Sequence, residues 1–421
     1  MHALFRLAWQ SAWNRRFTLA LTMFSIALST FMLLGVERIR SDVREGFGSA
    51  VSGTDLIVGA RTGSVQLLLY SVFRIGAATN NIRWQSVQDI ERMRGVRWVI
   101  PLSLGDSHRG YPVLGTSADY FTHFRYGQKQ SLQLRSGKPF EDLFDAVLGA
   151  DVARQLGYRL GDKITLTHGA GGPINTVEHD DKPFVVSGIL APTGTPVDRT
   201  VHISLQAMQA LHVDWSNGVR LPGRSVSAQA VRDMDLSPRN VTAVLIGLQS
   251  RAQVFSLQRQ INQYRGEPLM AVLPGVAMDE LWGVIGTGER ALLLMSALVA
   301  FVSLLGMVAV VLAGLNERRR ELAVLRAVGA RPAHIIWLLA LEGALATGLG
   351  VLLGLLALGL SAAAAAPWLL NQFGLHIHWW QVTPLQWWIL LGLLCTGFAA
   401  SLIPGWRAYR LSLVDGLAPP V

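Results

Sequence analysis

Four long stretches with almost no charge constrain this chain more than any other feature. Residues 17–36 and 291–315 run 20 and 25 residues without a charged side chain, and residues 385–403 run 19. Residues 335–366 carry a single charge, Glu342. About 20 apolar residues of helix cross a hydrocarbon core ~30 Å thick, so each run meets or approaches the length of a span. Composition agrees: 51% of the residues are hydrophobic and 15% are charged, against about 25% charged in an ordinary soluble domain. The high apolar content and the absence of a short repeat exclude a disordered or fibrous chain. One cysteine, Cys395, excludes intrachain disulfides and multi-cysteine zinc or iron–sulfur centres.

The charges between the runs set an orientation. Arg6, Arg15 and Arg16 precede the first run, Arg318, Arg319, Arg320, Arg326 and Arg331 fill the gap between the second and third, and Arg407 and Arg410 follow the fourth. Only Glu317, Glu321 and Asp415 oppose them, and residues 367–384 hold no Lys, Arg, Asp or Glu. The positive-inside rule then places both termini and the segment 316–334 in the cytosol, with residues 37–290 outside. The net charge of +9 is therefore mostly a record of membrane orientation, and no nucleic-acid partner is expected. Ten of the 13 tryptophans lie at or near the ends of the runs, where amphipathic rings settle at the headgroup level. The first run is too long for a typical signal-peptide core and lacks a clear A-x-A site, so it reads as an uncleaved anchor.

The expected fold class is an α-helical membrane protein with four transmembrane helices, one plus three. A large α+β extracytoplasmic domain is expected between helices one and two. The domains divide as residues 1–36, 37–290 and 291–421. Strand patterns occur at residues 55–60, 96–101, 163–167, 184–190 and 241–248, and helix patterns at 84–93, 146–156 and 251–264. Residues 167–176 and 213–240 look irregular, the second an exposed insertion. Residues 37–51 and 276–290 have patterns that continue the flanking spans as helical stalks.

Motifs that carry chemistry are scarce. The chain contains no G-x-x-x-x-G-K-[ST], H-E-x-x-H or G-x-S-x-G, so it has no P-loop of its own and no catalytic residues are assigned. His168-Gly169-Ala170-Gly171-Gly172 resembles an esterase oxyanion loop only weakly and reads as a turn. His376 and His378 are two residues apart, but a closed metal site takes three or four ligands. Gln372 and the scattered His202 and His212 do not complete one, so no metal is assigned. Glu342 reads as a structural partner of an arginine from the preceding loop, because no other titratable group lies in the spans to form a proton relay. Gly350 and Gly354 form G-x-x-x-G with Ala346 one turn earlier, a face that lets helix backbones approach closely.

Residues 316–334 read NERRRELAVLRAVGARPAH. From Glu317 to Val328 there is no Gly or Pro, and Leu322, Leu325 and Val328 recur every three residues among arginines. Gly329 stops the pattern and Pro332 follows it. A short amphipathic helix at the cytosolic face is expected, either anchored to anionic lipid by its arginines or docked on a partner protein.

The stretch Glu317-Arg318-Arg319-Arg320-Glu321-Leu322-Ala323-Val324-Leu325-Arg326-Ala327-Val328-Gly329-Ala330 resembles the coupling-helix signature of MacB/FtsX-type ABC transporter permeases, a family that includes lipoprotein-releasing LolC/LolE permeases. The resemblance extends to Leu341-Glu342-Gly343-Ala344, to Gly350 and Gly354, and to the exit Ile403-Pro404-Gly405-Trp406-Arg407-Ala408-Tyr409-Arg410. In the external domain it includes Val147-Leu148-Gly149-Ala150 and Phe184-Val185-Val186-Ser187-Gly188-Ile189-Leu190. It implies a homodimer, or a pair with a sister permease, in the lipid bilayer on two ABC ATPase subunits. ATP and Mg would sit on the ATPase, with no cofactor in this chain. The resemblance leaves open a periplasmic adaptor or cargo-binding protein as a further partner. The implied activity is ATP-driven export or extraction of an amphiphilic cargo (peptide, lipid or lipoprotein) by mechanical transmission to the periplasmic domain. The alternative is an FtsX-like regulator that activates an external enzyme without transport.

Overall fold

The computed structural model describes residues 16–50, 52–169, 178–216, 219–220, 226–317, 328–373 and 383–414. The chain forms two compact units, one made of Met1–Asp42, Gly286–Trp368 and Ile377–Val421, the other of Val43–Ile285 with Leu369–His376.

Helix α1, Arg16–Ser49, is 34 residues long. It does not end where the uncharged run ends, because its first charges pair along its own surface. Arg40 donates to both oxygens of Glu37 at 2.7 and 2.8 Å, and Arg38 donates to Asp42 at 3.1 Å. These are the i,i+3 and i,i+4 spacings at which helical side chains meet.

The second unit is built on an 11-stranded sheet. Its strands are β1 (Leu56–Ala60), β2 (Val96–His108), β3 (Tyr111–Thr116), β4 (Leu134–Gly137), β5 (Asp145–Leu148), β6 (Phe184–Leu190), β7 (Val201–Ser204), β8 (Ala243–Leu248) and β9 (Leu269–Val272). They lie in the order β9-β1-β8-β2-β3-β7-β5-β6-β4. Lys163–Ile164 adds to β6 and Thr167–His168 adds to β2. The β3–β7 and β5–β6 pairs are parallel and the others antiparallel. Helices α2 (Trp84–Glu91), α3 (Ala150–Leu156), α4 (Leu205–Leu211) and α5 (Val254–Asn262) accompany the strands.

Side chains alternate across a strand with period two, and the cores follow that alternation. Ile57 of β1 and Leu245 of β8 join one core with Leu67, Ile100, Leu114 and Val147. Leu56, Val58, Val244 and Ile246 join another with Ile90, Leu257 and Ile261. Both strands are thus buried on two faces, which explains why they read as continuous apolar runs rather than alternating ones. A third core gathers Val113, Leu148, Phe184, Val186, Val201 and Leu211.

Two expectations are corrected here. Residues 146–156 are not one helix: β5 takes Asp145–Leu148 and α3 begins at Ala150. Ala146, Val147 and Leu148 are fully buried between β6 and β7, so tertiary pairing overrides local propensity. The break falls at Gly149, where an added Cβ would collide with the carbonyl oxygens of Val197 and Asp198. Residues 213–240 are also less irregular than expected. Among the described residues Ser227 caps the helix Ala228–Val231, Val231 and Leu236 are buried, and Asn240–Val241 pairs with Ile82–Arg83.

Helices α6 (Pro274–Glu317), α7 (Pro332–Phe373) and α8 (Pro384–Val414) complete the described chain at 44, 42 and 31 residues. Among the described residues four helices, α1 and α6–α8, are long and apolar enough to cross a membrane. Pro367 lies inside α7, so that helix continues beyond residue 366, where a loop was expected.

Candidate functional site in the membrane helices

In hydrocarbon no hydrophobic force pulls helices together, so they associate where small residues allow backbone contact and where polar groups find partners. Phe24, Leu294, Phe301, Leu360 and Leu391 accordingly remain exposed on the helix surfaces, as lipid-facing residues do. Glycine, serine and threonine make the closest contacts between helices, around an apolar cluster of Ile26, Leu34, Ala300, Met307, Val351, Leu390 and Leu393.

Gly350 and Gly354 of α7 face α1. A Cβ added at Gly350 would lie 2.9 Å from Ile26 Cβ and 3.0 Å from the Met23 carbonyl oxygen. At Gly354 it would lie 2.6 Å from the Ala27 carbonyl oxygen and 2.7 Å from Thr30 Cβ. The G-x-x-x-G face therefore has a named partner, the first span, and the approach is backbone to backbone. Closer to its start, α7 contacts α8, where Gly343 meets Ser401 and Gly397 meets Thr347 too closely for any side chain. Thr347 is buried and bonds the Gly343 carbonyl at 2.8 Å, and Ser401 bonds the Ala340 carbonyl at 3.1 Å.

Between α1 and α6 the contact is polar. Ser25 Oγ donates to Ser303 Oγ at 2.9 Å, and Ser29 Oγ lies 2.7 Å from the same oxygen. Two of the three also reach a carbonyl of their own helix: Ser29 bonds Ser25 O and Ser303 bonds Val299 O, both at 2.8 Å. Sequence reasoning missed this cluster and the Glu37–Arg40 and Arg38–Asp42 pairs. The spacings of the ion pairs were legible, whereas Ser303 lies 278 residues from Ser25 and no local pattern joins them.

Of the expected coupling residues, Arg318, Arg319, Arg320, Glu321, Leu322, Leu325 and Arg326 lie outside the described residues, as do His376 and His378. Glu317 is the last residue of α6. Val328 is exposed, and Gly329 has φ +98°, a left-handed conformation that glycine adopts at little cost. Pro332 then begins α7, a position where the missing N–H costs nothing. Glu342 is half-buried on α7, next to Gly343. Pro404 lies within α8.

One apolar helix before an extracytoplasmic α+β domain and three after it define a multi-pass membrane protein. The family model of the MacB-like periplasmic core domain matches residues 19–264, and that of the FtsX-like permease C-terminal matches residues 293–413. The chain belongs to the MacB/FtsX-type family of ABC transporter permeases. It is similar to the macrolide export ATP-binding/permease protein MacB of Chromobacterium violaceum, at 30% identity over 149 residues, covering 34% of this chain and 22% of that protein. It is similar to the protein of the same name from Burkholderia cenocepacia at 25% identity over 305 residues, 70% of this chain and 40% of that one. The chain thus spans less than half the length of these relatives. Among solved structures, the periplasmic region of MacB from Actinobacillus actinomycetemcomitans matches 55% of this chain and 94% of its own at 11% identity and TM-score 0.33. The extracellular domain of the noncanonic ABC-type transporter YknZ matches 52% and 99% at 12% identity and TM-score 0.31.

Proposed function

We propose that this permease couples ATP hydrolysis by a partner ATPase subunit to the export or extraction of an amphiphilic cargo. It would do so by transmitting motion through its helices rather than by enclosing substrate between them. The partner holds ATP and Mg, and segment 316–334 docks on it at the cytosolic face of a bacterial inner membrane. Leu322, Leu325 and Val328 seat in an apolar groove, and Arg318, Arg319, Arg320 and Arg326 meet acidic surface. The permease works as a pair, with a second copy or a sister chain.

The observation that carries this reading is helix continuity. Among the described residues helix α6 runs unbroken for 44 residues, from Pro274 to Glu317. At 1.5 Å per residue such a helix extends about 65 Å, twice the ~30 Å hydrocarbon core. The backbone of α6 has no proline after Pro274, so a tilt applied at its cytosolic end is passed along it, with Gly283, Gly286 and Gly288 as the places where it can bend. The relatives' name joins ATP binding to a permease, in keeping with nucleotide hydrolysis as the driving force.

Leu325→Asp tests the docking. The variant is expected to insert normally and to abolish stimulation of the partner ATPase, measured as phosphate release in reconstituted vesicles. Wild-type ATP-coupled activity in that variant overturns the assignment of the segment.

A further inference from the structure

Three histidines and an aspartate that look unrelated in sequence converge in the extracytoplasmic unit. Asp106 is on β2, and His168 is its register partner on the short strand Thr167–His168. His212 caps the C-terminus of α4. His179 is held by its backbone N–H on the Leu166 carbonyl at 2.8 Å. One donor atom from each of these four residues lies within 4.8 Å of every other.

The contacts at the centre have the dimensions of a coordination sphere. His168 Nδ1 is 3.0 Å from His212 Nε2 and 3.1 Å from Asp106 Oδ1, and His212 Nε2 is 3.4 Å from the same Asp106 oxygen. Zinc–nitrogen bonds of about 2.0–2.1 Å in a tetrahedron put neighbouring ligand atoms ~3.3 Å apart, which these separations match. The orientation of His212 is set by its other nitrogen: Nδ1 lies 2.9 Å from the Met208 carbonyl. A carbonyl can only accept, so Nδ1 carries the proton and the Nε2 lone pair faces the cluster. This is how outer hydrogen bonds prepare metal-binding imidazoles.

Hydrogen bonding within the cluster does not satisfy it. The Asp106 side chain is fully shielded from solvent, and its Oδ2 has no hydrogen-bond partner among the described residues. Neither has Nε2 of His179, which is 2% exposed. A buried carboxylate oxygen and a buried imidazole nitrogen left in this way cost free energy unless a further group supplies positive charge. Trp215 closes the site on one side, its ring 4.4 Å from His168, 5.0 Å from His179 and 5.9 Å from His212. On the other side His168 and His212 line an open cleft with Asn81, Ser103 and Gln209, which gives an ion a path in.

We propose that Asp106, His168, His179 and His212 form a binding site for one divalent transition-metal ion of the zinc class. Three imidazoles and one carboxylate are donors suited to such borderline cations. Calcium and magnesium prefer six or more oxygens, and sites selective for softer ions use thiolate. The bound ion ties β2, the strand at His168, the segment at His179 and the end of α4 into one unit. Such a site goes beyond the sequence reading, which assigned no metal.

The test uses the full-length protein in detergent, stripped with a chelator, dialysed and then titrated with zinc. One ion per chain and a raised melting temperature are expected. Cobalt in place of zinc should give the intense visible absorption of tetrahedral coordination. His179→Ala and His212→Ala should each weaken zinc binding by at least about tenfold, while His123→Ala, remote from the cluster, leaves it unchanged. Failure of the wild-type protein to bind zinc or cobalt, or an octahedral cobalt spectrum, overturns the assignment. So does unchanged affinity in a folded His179→Ala/His212→Ala double variant. If the variants do not fold, the stoichiometry and the cobalt spectrum of the wild-type chain decide the matter.

Discussion

Gly354→Ala is the most exacting test of how the membrane helices pack. The new methyl carbon would lie 2.6 Å from the Ala27 carbonyl oxygen and 2.7 Å from Thr30 Cβ. Ordinary carbon–oxygen and carbon–carbon contacts are ~3.3 Å and ~3.7 Å, so α1 and α7 must separate by about 0.7–1 Å, and neither neighbour is the free end of a flexible chain. Overpacking of this kind typically costs about 1–3 kcal/mol. Replacing glycine by alanine inside a helix returns up to about 1 kcal/mol through backbone entropy, so Gly354→Ala should fall about 1–3 kcal/mol below a glycine-to-alanine change that meets no neighbour. The controls are Gly348→Ala and Gly359→Ala on the same helix, where a Cβ meets nothing within 4 Å and only the gain remains. Equilibrium unfolding of the purified protein in mixed micelles, followed by tryptophan fluorescence, would compare the three. If Gly354→Ala is as stable as Gly359→Ala, the backbone contact between α1 and α7 does not exist as described.

Two further predictions concern the extracytoplasmic unit. Lys182 is fully buried, with Nζ 2.7 Å from Asp181 and 3.3 Å from Asp214, whose side chain is equally shielded. Lys182→Met removes the cation from buried acid and should cost about 3–5 kcal/mol, seen as a lowered unfolding midpoint and earlier proteolysis; an unchanged midpoint refutes the pairing. Burial, assisted by nearby Arg74, drives His202 down to about 3 from an ordinary 6.5. The unfolded chain therefore binds the extra proton, and the stability His202 contributes is complete above pH 6.5 and is lost as pH falls toward 3. One such group gives a slope of about 1.4 kcal/mol per pH unit. His202→Asn should flatten the pH dependence between 6 and 4 by that amount, and an identical slope in the variant would show that His202 titrates normally.

What could be read in advance divides by physical range. The spans were legible because hydrocarbon imposes a length on uninterrupted apolar sequence, and residues 17–36 and 291–315 satisfy it without context. Strands such as Phe184–Leu190 were legible because turn residues bound a dense apolar run. The segment at residues 146–156 was misread because Ala146, Val147 and Leu148 suit a helix or a buried strand equally, and only pairing with β6 and β7 decides between them. The metal-ligating set was invisible for a related reason. Asp106 and His168 become neighbours only through strand register, and His212 joins them only because α4 packs where it does. The partner of Gly350 and Gly354 was likewise out of reach, since a small-residue face shows that something approaches closely and not what.

The three serine hydroxyls shared by α1 and α6 differ in kind from the glycine contacts of α7. Ser29 and Ser303 each keep a carbonyl of their own helix within reach. If the two helices part, Ser29 and Ser303 each retain a partner, and Ser25 gives up the bond that it donates to Ser303. A seam of this type can open and close repeatedly at small energetic cost, whereas the glycine-lined seam loses close contact along its length the moment it separates. The first span is thus fastened firmly to one neighbour and releasably to the other, which marks the α1–α6 boundary as the place where the bundle yields first under load.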